Sequence, residues 1–490
     1  MMSKRLQGVR QRFSCGLLCS WIVLVFVGCQ SSPVVDRDDG FDTELARLQK
    51  QFFIPGLSVQ VSQGDVVLYQ AAMGCCQFET DKPISMQTQF PVASLTKVFA
   101  AALVFQAVEE GLVSLDQPLN HFLDGAPLNS DITVGHVLSH TSQGEPGRTF
   151  LYSSRFSALT AVIETAFGMA FEEALHQRVL LPLSLEESYL LPDGAGEMAP
   201  ARLANLASSH NFEGETIAGF VDYGSSAAAG LVSTPADLLR FVRALTSGEV
   251  VSQKSWALMS QPAVAGSPYG YGLFTDVLYG QAVLWGYGQY DSYSSLMIVL
   301  PEKSLSMVLL ANNALVADPA RLINGNLRTS LFARAFLRHF ADVDETGAQY
   351  VADGLVAEAL GKAFLGRFDA NSARQSGALV DDLLARFPGE ARAGGLGLAH
   401  VLSMLKLIAH HNENRSLLDY DALAIGISER LISEGANNPY AHIYLAELHD
   451  LNGNEASARR HFQAIVNAPN FSPWWYTRQA QSWLNSRKQQ

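Results

Sequence analysis

Residues 93–105 read Ala93-Ser94-Leu95-Thr96-Lys97-Val98-Phe99-Ala100-Ala101-Ala102-Leu103-Val104-Phe105. The unbroken apolar, alanine-rich run predicts a buried helix that starts at or just before Ser94. It ends at the glycine stop of Glu109-Glu110-Gly111. Positions i and i+3 share a helix face, so the Ser94 hydroxyl and the Lys97 amine lie side by side. A serine hydroxyl is a weak nucleophile until a base stands beside it. A desolvated lysine can be that base, and the unpaired N–H groups of a helix start favour developing negative charge. Taken alone, Ser-x-x-Lys is also what an N-cap serine and a solvated lysine look like. The rest of the chain has to decide.

The chain has 490 residues, 48% of them hydrophobic, enough for two or three domains with a sizeable core. A net charge of −13 speaks against nucleic acid as a partner. The amino terminus reads as an export signal over residues 1–28. Lys4, Arg5, Arg10 and Arg12 precede an apolar stretch centred on Trp21–Val27, which is short for a membrane span. Gly28-Cys29-Gln30-Ser31-Ser32 resembles a bacterial lipoprotein signal, although Phe26 stands where leucine is usual. That resemblance implies lipidation at Cys29, a polar tether over residues 29–40, and a place on the periplasmic side of the envelope, with Gln30 favouring the outer membrane. An uncleaved signal anchor is the alternative. Of the five cysteines, Cys75 and Cys76 remain beyond the signal; they read as free thiols, with a vicinal disulfide as the less favoured alternative.

Glu44–Phe52 suits a first helix. Leu57–Val61 and Val66–Tyr69, joined by Gln63-Gly64-Asp65, suit a hairpin. Further along come Leu115-Asp116-Gln117-Pro118, Leu138-Ser139-His140-Thr141-Ser142 and Tyr152-Ser153-Ser154. Ala229-Gly230 then leads into Leu231–Leu238, and Leu296–Lys303 pairs with Val308–Asn313.

These pieces, with Pro55-Gly56 and the Ser94 stretch, stand in the order and rough spacing of the serine β-lactamase-related family over residues 41–340. The family includes class C β-lactamases, D-alanyl-D-alanine carboxypeptidases and esterases. The resemblance implies an α/β (α+β) fold with an antiparallel sheet flanked by helices, and a serine hydrolase with no metal or organic cofactor. It implies that Ser94 attacks a carbonyl to form an acyl-enzyme. Lys97 and Tyr152 become the acid–base pair, Tyr152 as a phenol of depressed pKa. Ser154 replaces the asparagine of the Tyr-x-Asn motif. The family's Lys-Thr-Gly or His-x-Gly is replaced by Trp285-Gly286-Tyr287-Gly288-Gln289-Tyr290. One register puts Tyr287 on the cation and Gln289 on the glycine, with the Tyr290 N–H joining that of Ser94 as oxyanion donor; another puts Trp285 on the cation. Ser154, Tyr287, Gly288, Gln289 and Tyr290 are thus the expected substrate-binding set. In either register the cation that grips a substrate carboxylate is missing, which favours a neutral ester or amide over β-lactams and D-Ala-D-Ala peptides. His136 and His140 read as loop or core histidines. Glu172 and Glu173 read as a solvated helix face.

From residue 341 the composition turns helical. Val351–Leu365, Arg374–Phe387, Leu398–His411, Tyr420–Ser433 and Pro439–Leu451 carry apolar residues at three- and four-residue spacing. Leu445, Ala446, His449, Gly453, Ala458 and Phe462 resemble a tetratricopeptide repeat, a plain helical extension being the alternative. Trp474-Trp475-Tyr476 is expected to cap the stack. Repeat arrays bind peptides or proteins, so a protein partner is implied there, beside an acyl substrate at the site and the membrane through the lipid. The competing reading is a catalytically impaired envelope scaffold, with the helical region as its working part.

Overall fold

The computed structural model describes residues 39–75, 82–125, 128–191, 204–211, 225–411, 420–434, 438–468 and 474–487. The export signal, Cys29 and Cys76 lie outside the described residues. Helix α1 (Asp39–Gln51) starts earlier than the sequence suggests, taking in two residues of the expected tether. Its buried stripe of Phe41, Leu45 and Leu48 explains the extension, because that stripe packs on the sheet.

Strands β1 (Gly56–Gln63) and β2 (Val66–Gly74) form the expected hairpin. Asn312 is fully buried and ties its open end. It accepts from the Gly56 N–H at 2.7 Å and donates to the Cys75 carbonyl at 3.0 Å. Cys75 is disulfide-bonded, which corrects the preferred expectation of two free thiols.

Two-residue β3 (Phe90–Pro91) leads through Val92 into a turn of 3₁₀ helix, Ala93–Leu95, and then into α2 (Thr96–Glu109). Most of α2 is buried all round, as its sequence requires. The short helices α3 (Val134–Leu138), α4 (Leu159–Phe167) and α5 (Phe171–Leu175) follow. Strands β4 (Tyr189–Leu190) and β5 (Leu231–Ser233) join β3 in a three-stranded sheet, order β3-β5-β4. Helix α6 (Pro235–Ser247) is capped by Thr234 and has proline in its first turn. After α7 (Gln253–Met259) come β6 (Phe274–Leu278), β7 (Gln281–Gln289), β8 (Ser294–Leu300) and β9 (Leu305–Ala311). These complete a six-stranded sheet, order β2-β1-β9-β8-β7-β6, in which every pairing is antiparallel.

One apolar cluster gathers α2 and its neighbouring helices against one sheet face. A second gathers α1 and α8 (Leu331–Phe340) against the other. Beyond α8 the chain is helical: α9 (Ala348–Leu365), α10 (Ala370–Arg386), α11 (Pro388–Arg392), α12 (Leu396–His411), α13 (Asp421–Glu434), α14 (Pro439–Leu451), α15 (Glu455–Val466) and α16 (Trp475–Ser486). Helices α14 and α15 pack as a hairpin, and Ala446, Ala458 and Phe462 on them are all buried. The described residues make one compact unit. Leu151, one residue before Tyr152, belongs to the apolar cluster of the carboxy-terminal helices.

Candidate active site

The turn that carries Ser94 is held from three sides. The Val92 N–H donates to the Leu231 carbonyl at 2.8 Å, and Ser295 Oγ donates to the Val92 carbonyl at 2.8 Å. The Thr96 hydroxyl donates to the Ala93 carbonyl at 2.7 Å and accepts from the Leu231 N–H at 3.1 Å. So anchored, the backbone keeps the buried Ala93 at φ +50°. A side-chain-bearing residue rarely occupies that region, and such strain collects where a reactive group must be held in one orientation.

Ser94 is half-buried at the start of the helix. Lys97 Nζ donates to Ser94 Oγ at 2.9 Å and to the Ala228 carbonyl at 2.8 Å. No carboxylate compensates the charge of this 5%-exposed amine in those bonds, and burial brings its pKa down to about 7. The Tyr152 hydroxyl also hydrogen-bonds Ser94, and the Lys97 amine lies 5.1 Å from the Tyr152 ring centre. The structure therefore brings Ser94, Lys97 and Tyr152 together.

It does not give Tyr152 a depressed pKa. Burial dominates and pushes the phenol above its ordinary value, with the Ser94 hydrogen bond opposing. At neutral pH Tyr152 is therefore a protonated donor. His140, fully buried at φ +55°, stacks on Tyr152 at 4.2 Å between ring centres. Its Nδ1 accepts from the Ser153 N–H at 3.3 Å. Burial first, and the Lys97 charge second, hold His140 well below the ordinary histidine value, so it is a neutral platform. His136 serves the capping box of α3 with Thr133. Among the described residues no cluster of metal-ligating side chains occurs. Ser154 is exposed at the start of a 3₁₀ turn, and Glu172 and Glu173 are exposed.

The third motif lies on β7, and its backbone chooses a register. An alanine methyl at Gly288 would stand 1.9 Å from the Val92 carbonyl oxygen, and one at Gly286 would stand 2.9 Å from Leu95. Gly288 is therefore the glycine that lets the strand approach the serine turn. With Gly288 taken as the motif's glycine, Gly286 stands where the cation would be, and Tyr287 lies between the two. This register differs from both expected ones, and it too supplies no cation. The Tyr290 N–H is consumed by the Tyr293 carbonyl at 2.9 Å, so Tyr290 is not the oxyanion donor. Antiparallel hydrogen bonding alternates. Since the Tyr290 N–H is on the β8 side, Gly288 (opposite Ser295) and Gly286 (opposite Met297) share that side, and the N–H groups of Tyr287 and Gln289 point away from β8. That edge is paired with β6 only as far as Trp285. Tyr287 is 5% exposed, its ring 5.8 Å from that of Tyr152, and it belongs to an aromatic floor. The Gln289 side chain turns to Asp318, donating from Nε2 to Oδ1 at 3.1 Å, and Asp318 pairs with Arg321 at 3.5 Å.

Several contributors have no signal in the sequence: the Ala228 carbonyl, Asp318, Arg321 and Trp474. The Trp474 ring lies over Tyr152 with centres 6.3 Å apart and planes 26° from parallel. Tyr476 is buried in the helical core, but Trp474 turns to the site, so this stretch does more than cap a helix stack.

An antiparallel sheet with a Ser-x-x-Lys helix turn against it describes a class of serine acyl-transfer enzymes. The β-lactamase family model matches residues 41–328, and the chain belongs to that family of serine hydrolases. It is 22% identical over 309 residues to penicillin-binding protein 4* of Bacillus subtilis (strain 168), covering 52% of this chain and 67% of that protein. It is 23% identical over 342 residues to esterase EstB of Burkholderia gladioli, covering 48% of this chain and 86% of that one. In structure it is similar to the octameric penicillin-binding protein homologue from Pyrococcus abyssi. The TM-score is 0.55 at 20% identity, over 65% of this chain and 81% of that one, and this likeness concerns the fold.

Proposed function

We propose that the protein hydrolyses a neutral ester or amide through an acyl-enzyme on Ser94. The observation that carries the reading is the 2.9 Å contact between Ser94 Oγ and a buried lysine amine whose pKa has fallen to about 7. Neutral Lys97 takes the Ser94 proton as Oγ bonds to the carbonyl carbon. The carbonyl π pair moves onto oxygen, where the Ser94 and Gln289 N–H groups receive it. The intermediate collapses, the leaving group departs with the Tyr152 proton, and Lys97 returns its proton to Tyr152. Water then attacks the acyl carbon, activated by the same lysine, and the acid is released as Ser94 regains a proton.

A neutral substrate is favoured because Gly286 offers no side chain to a carboxylate and Arg321 is already paired with Asp318. Export and a lipid anchor on Cys29 rest on the amino-terminal sequence alone. A peptide-binding role for the helical hairpin rests on its small-and-large residue spacing. The test is the intact mass of residues 30–490 after a fluorophosphonate and, separately, a penicillin, with Ser94→Ala as control. A fluorophosphonate adduct lost in the variant is expected. A stable penicillin adduct would move the substrate to cell-wall peptides. No adduct on folded protein would overturn the catalytic reading in favour of a binding protein.

A further inference from the structure

Resting on that reading, we propose that the first turn of α16 is a wall of the active site, where Trp474 selects substrates with an aromatic or bulky apolar leaving group. The turn reaches the site from two directions. Trp474 covers Tyr152, the proton donor to the leaving group. Trp475 faces the Arg321 guanidinium at 5.9 Å, and Arg321, Asp318 and Gln289 then run in sequence to the end of β7.

The wall is built rather than draped. The Trp474 N–H donates to Thr477 Oγ1 at 2.6 Å, and the Thr477 hydroxyl donates back to the Trp474 carbonyl at 2.8 Å. Behind it, fully buried Tyr476 meets the Trp474 ring edge-on at 6.0 Å, and Tyr440 meets Trp475 at 5.6 Å. Leu151 is embedded among these helices, so the loop that positions Tyr152 and the wall that covers it share one core. Trp474 is only half-buried. An indole beside a neutral, aromatic-floored site attracts rings and apolar groups. Because it stands over Tyr152, the group it meets is the one that leaves.

The test compares kcat/KM for benzyl acetate and ethyl acetate, which differ in the leaving group and share the acyl group. The variants are Trp474→Ala, Trp474→Leu, which keeps bulk if the alanine variant does not fold, and Trp474→Phe. The benzyl-to-ethyl ratio is expected to fall about fivefold or more in the alanine and leucine variants, the worth of an aromatic pair. It should be restored in the phenylalanine variant. Fluorophosphonate labelling of Ser94 is read in parallel. Labelled protein whose ratio stays within twofold of wild type overturns the wall and leaves the hydrolase. Labelled wild type that turns over neither ester overturns this substrate class. Wild type with no label and no turnover overturns the hydrolase reading, and the wall with it.

Discussion

Replacing Lys97 by methionine should abolish most acylation and yet, at low pH, stabilise the fold. An ordinary lysine titrates near 10.5 and this one near 7. The unfolded chain therefore binds more protons between those values, and the stability of the wild type rises with pH across that window. Below about pH 7 the fold carries the whole cost of a buried ammonium. The gap of about 3.5 in pKa, at 1.36 kcal/mol each, makes that cost about 5 kcal/mol. By pH 9.5 it has fallen to about 1 kcal/mol by the same linkage. Methionine fills a similar volume but leaves the Ala228 carbonyl without its 2.8 Å donor, which costs about 1–3 kcal/mol. The variant should thus be more stable than wild type by about 2–4 kcal/mol at pH 6, with the advantage gone or reversed at pH 9.5. Urea midpoints of both proteins at the two pH values measure this. Fluorophosphonate inactivation should slow by about 10²–10⁴-fold in the variant, and in the wild type should rise with pH through about 7. A stability difference that stays flat between pH 6 and 9.5 would refute the burial and lowered pKa of Lys97. A wild-type inactivation rate without a limb near 7 would refute its role as base.

Tyr152→Phe should lower ester turnover by roughly 10²-fold or more while leaving the limb near pH 7, because the raised phenol does not titrate there; a stopped pH–rate series decides it. Gly288→Ala puts a methyl 1.9 Å from the Val92 carbonyl. Overpacking of this kind costs about 1–3 kcal/mol or more, and thermal melting together with Ser94 labelling should both decline. Asn312→Ala strips partners from the Gly56 N–H and the Cys75 carbonyl and should cost about 2–4 kcal/mol in chemical unfolding.

Much of the molecule was legible in local pattern. The apolar run after Ser94 reads as a buried helix because nothing else buries so many consecutive side chains, and α2 is that helix. The carboxy-terminal helices fall within a few residues of their apolar periods; α9 and α12 end at the expected residue and α14 matches at both ends. Ser94 and Lys97 needed only helical geometry to meet. The pairing of Cys75 was misjudged, since nothing local distinguishes a thiol from half of a disulfide.

The third motif was legible as a motif but not in register. Trp285, Gly286, Tyr287, Gly288 and Gln289 alternate small and large, and a shift of one residue exchanges which N–H groups face β8. Only the contact of Gly288 with Val92 and the closure of Tyr290 onto Tyr293 choose between them. The proton state of Tyr152 was also invisible, because it depends on what buries the ring, His140 and Trp474 among its neighbours. The sequence by itself determined the elements, the Ser94–Lys97 pair and the order of the motifs, since these depend on neighbours in the chain. The tertiary structure alone decided the free edge of β7, the protonated Tyr152 and the placing of Trp474 beside it, since desolvation and contact are made by residues far apart in the chain.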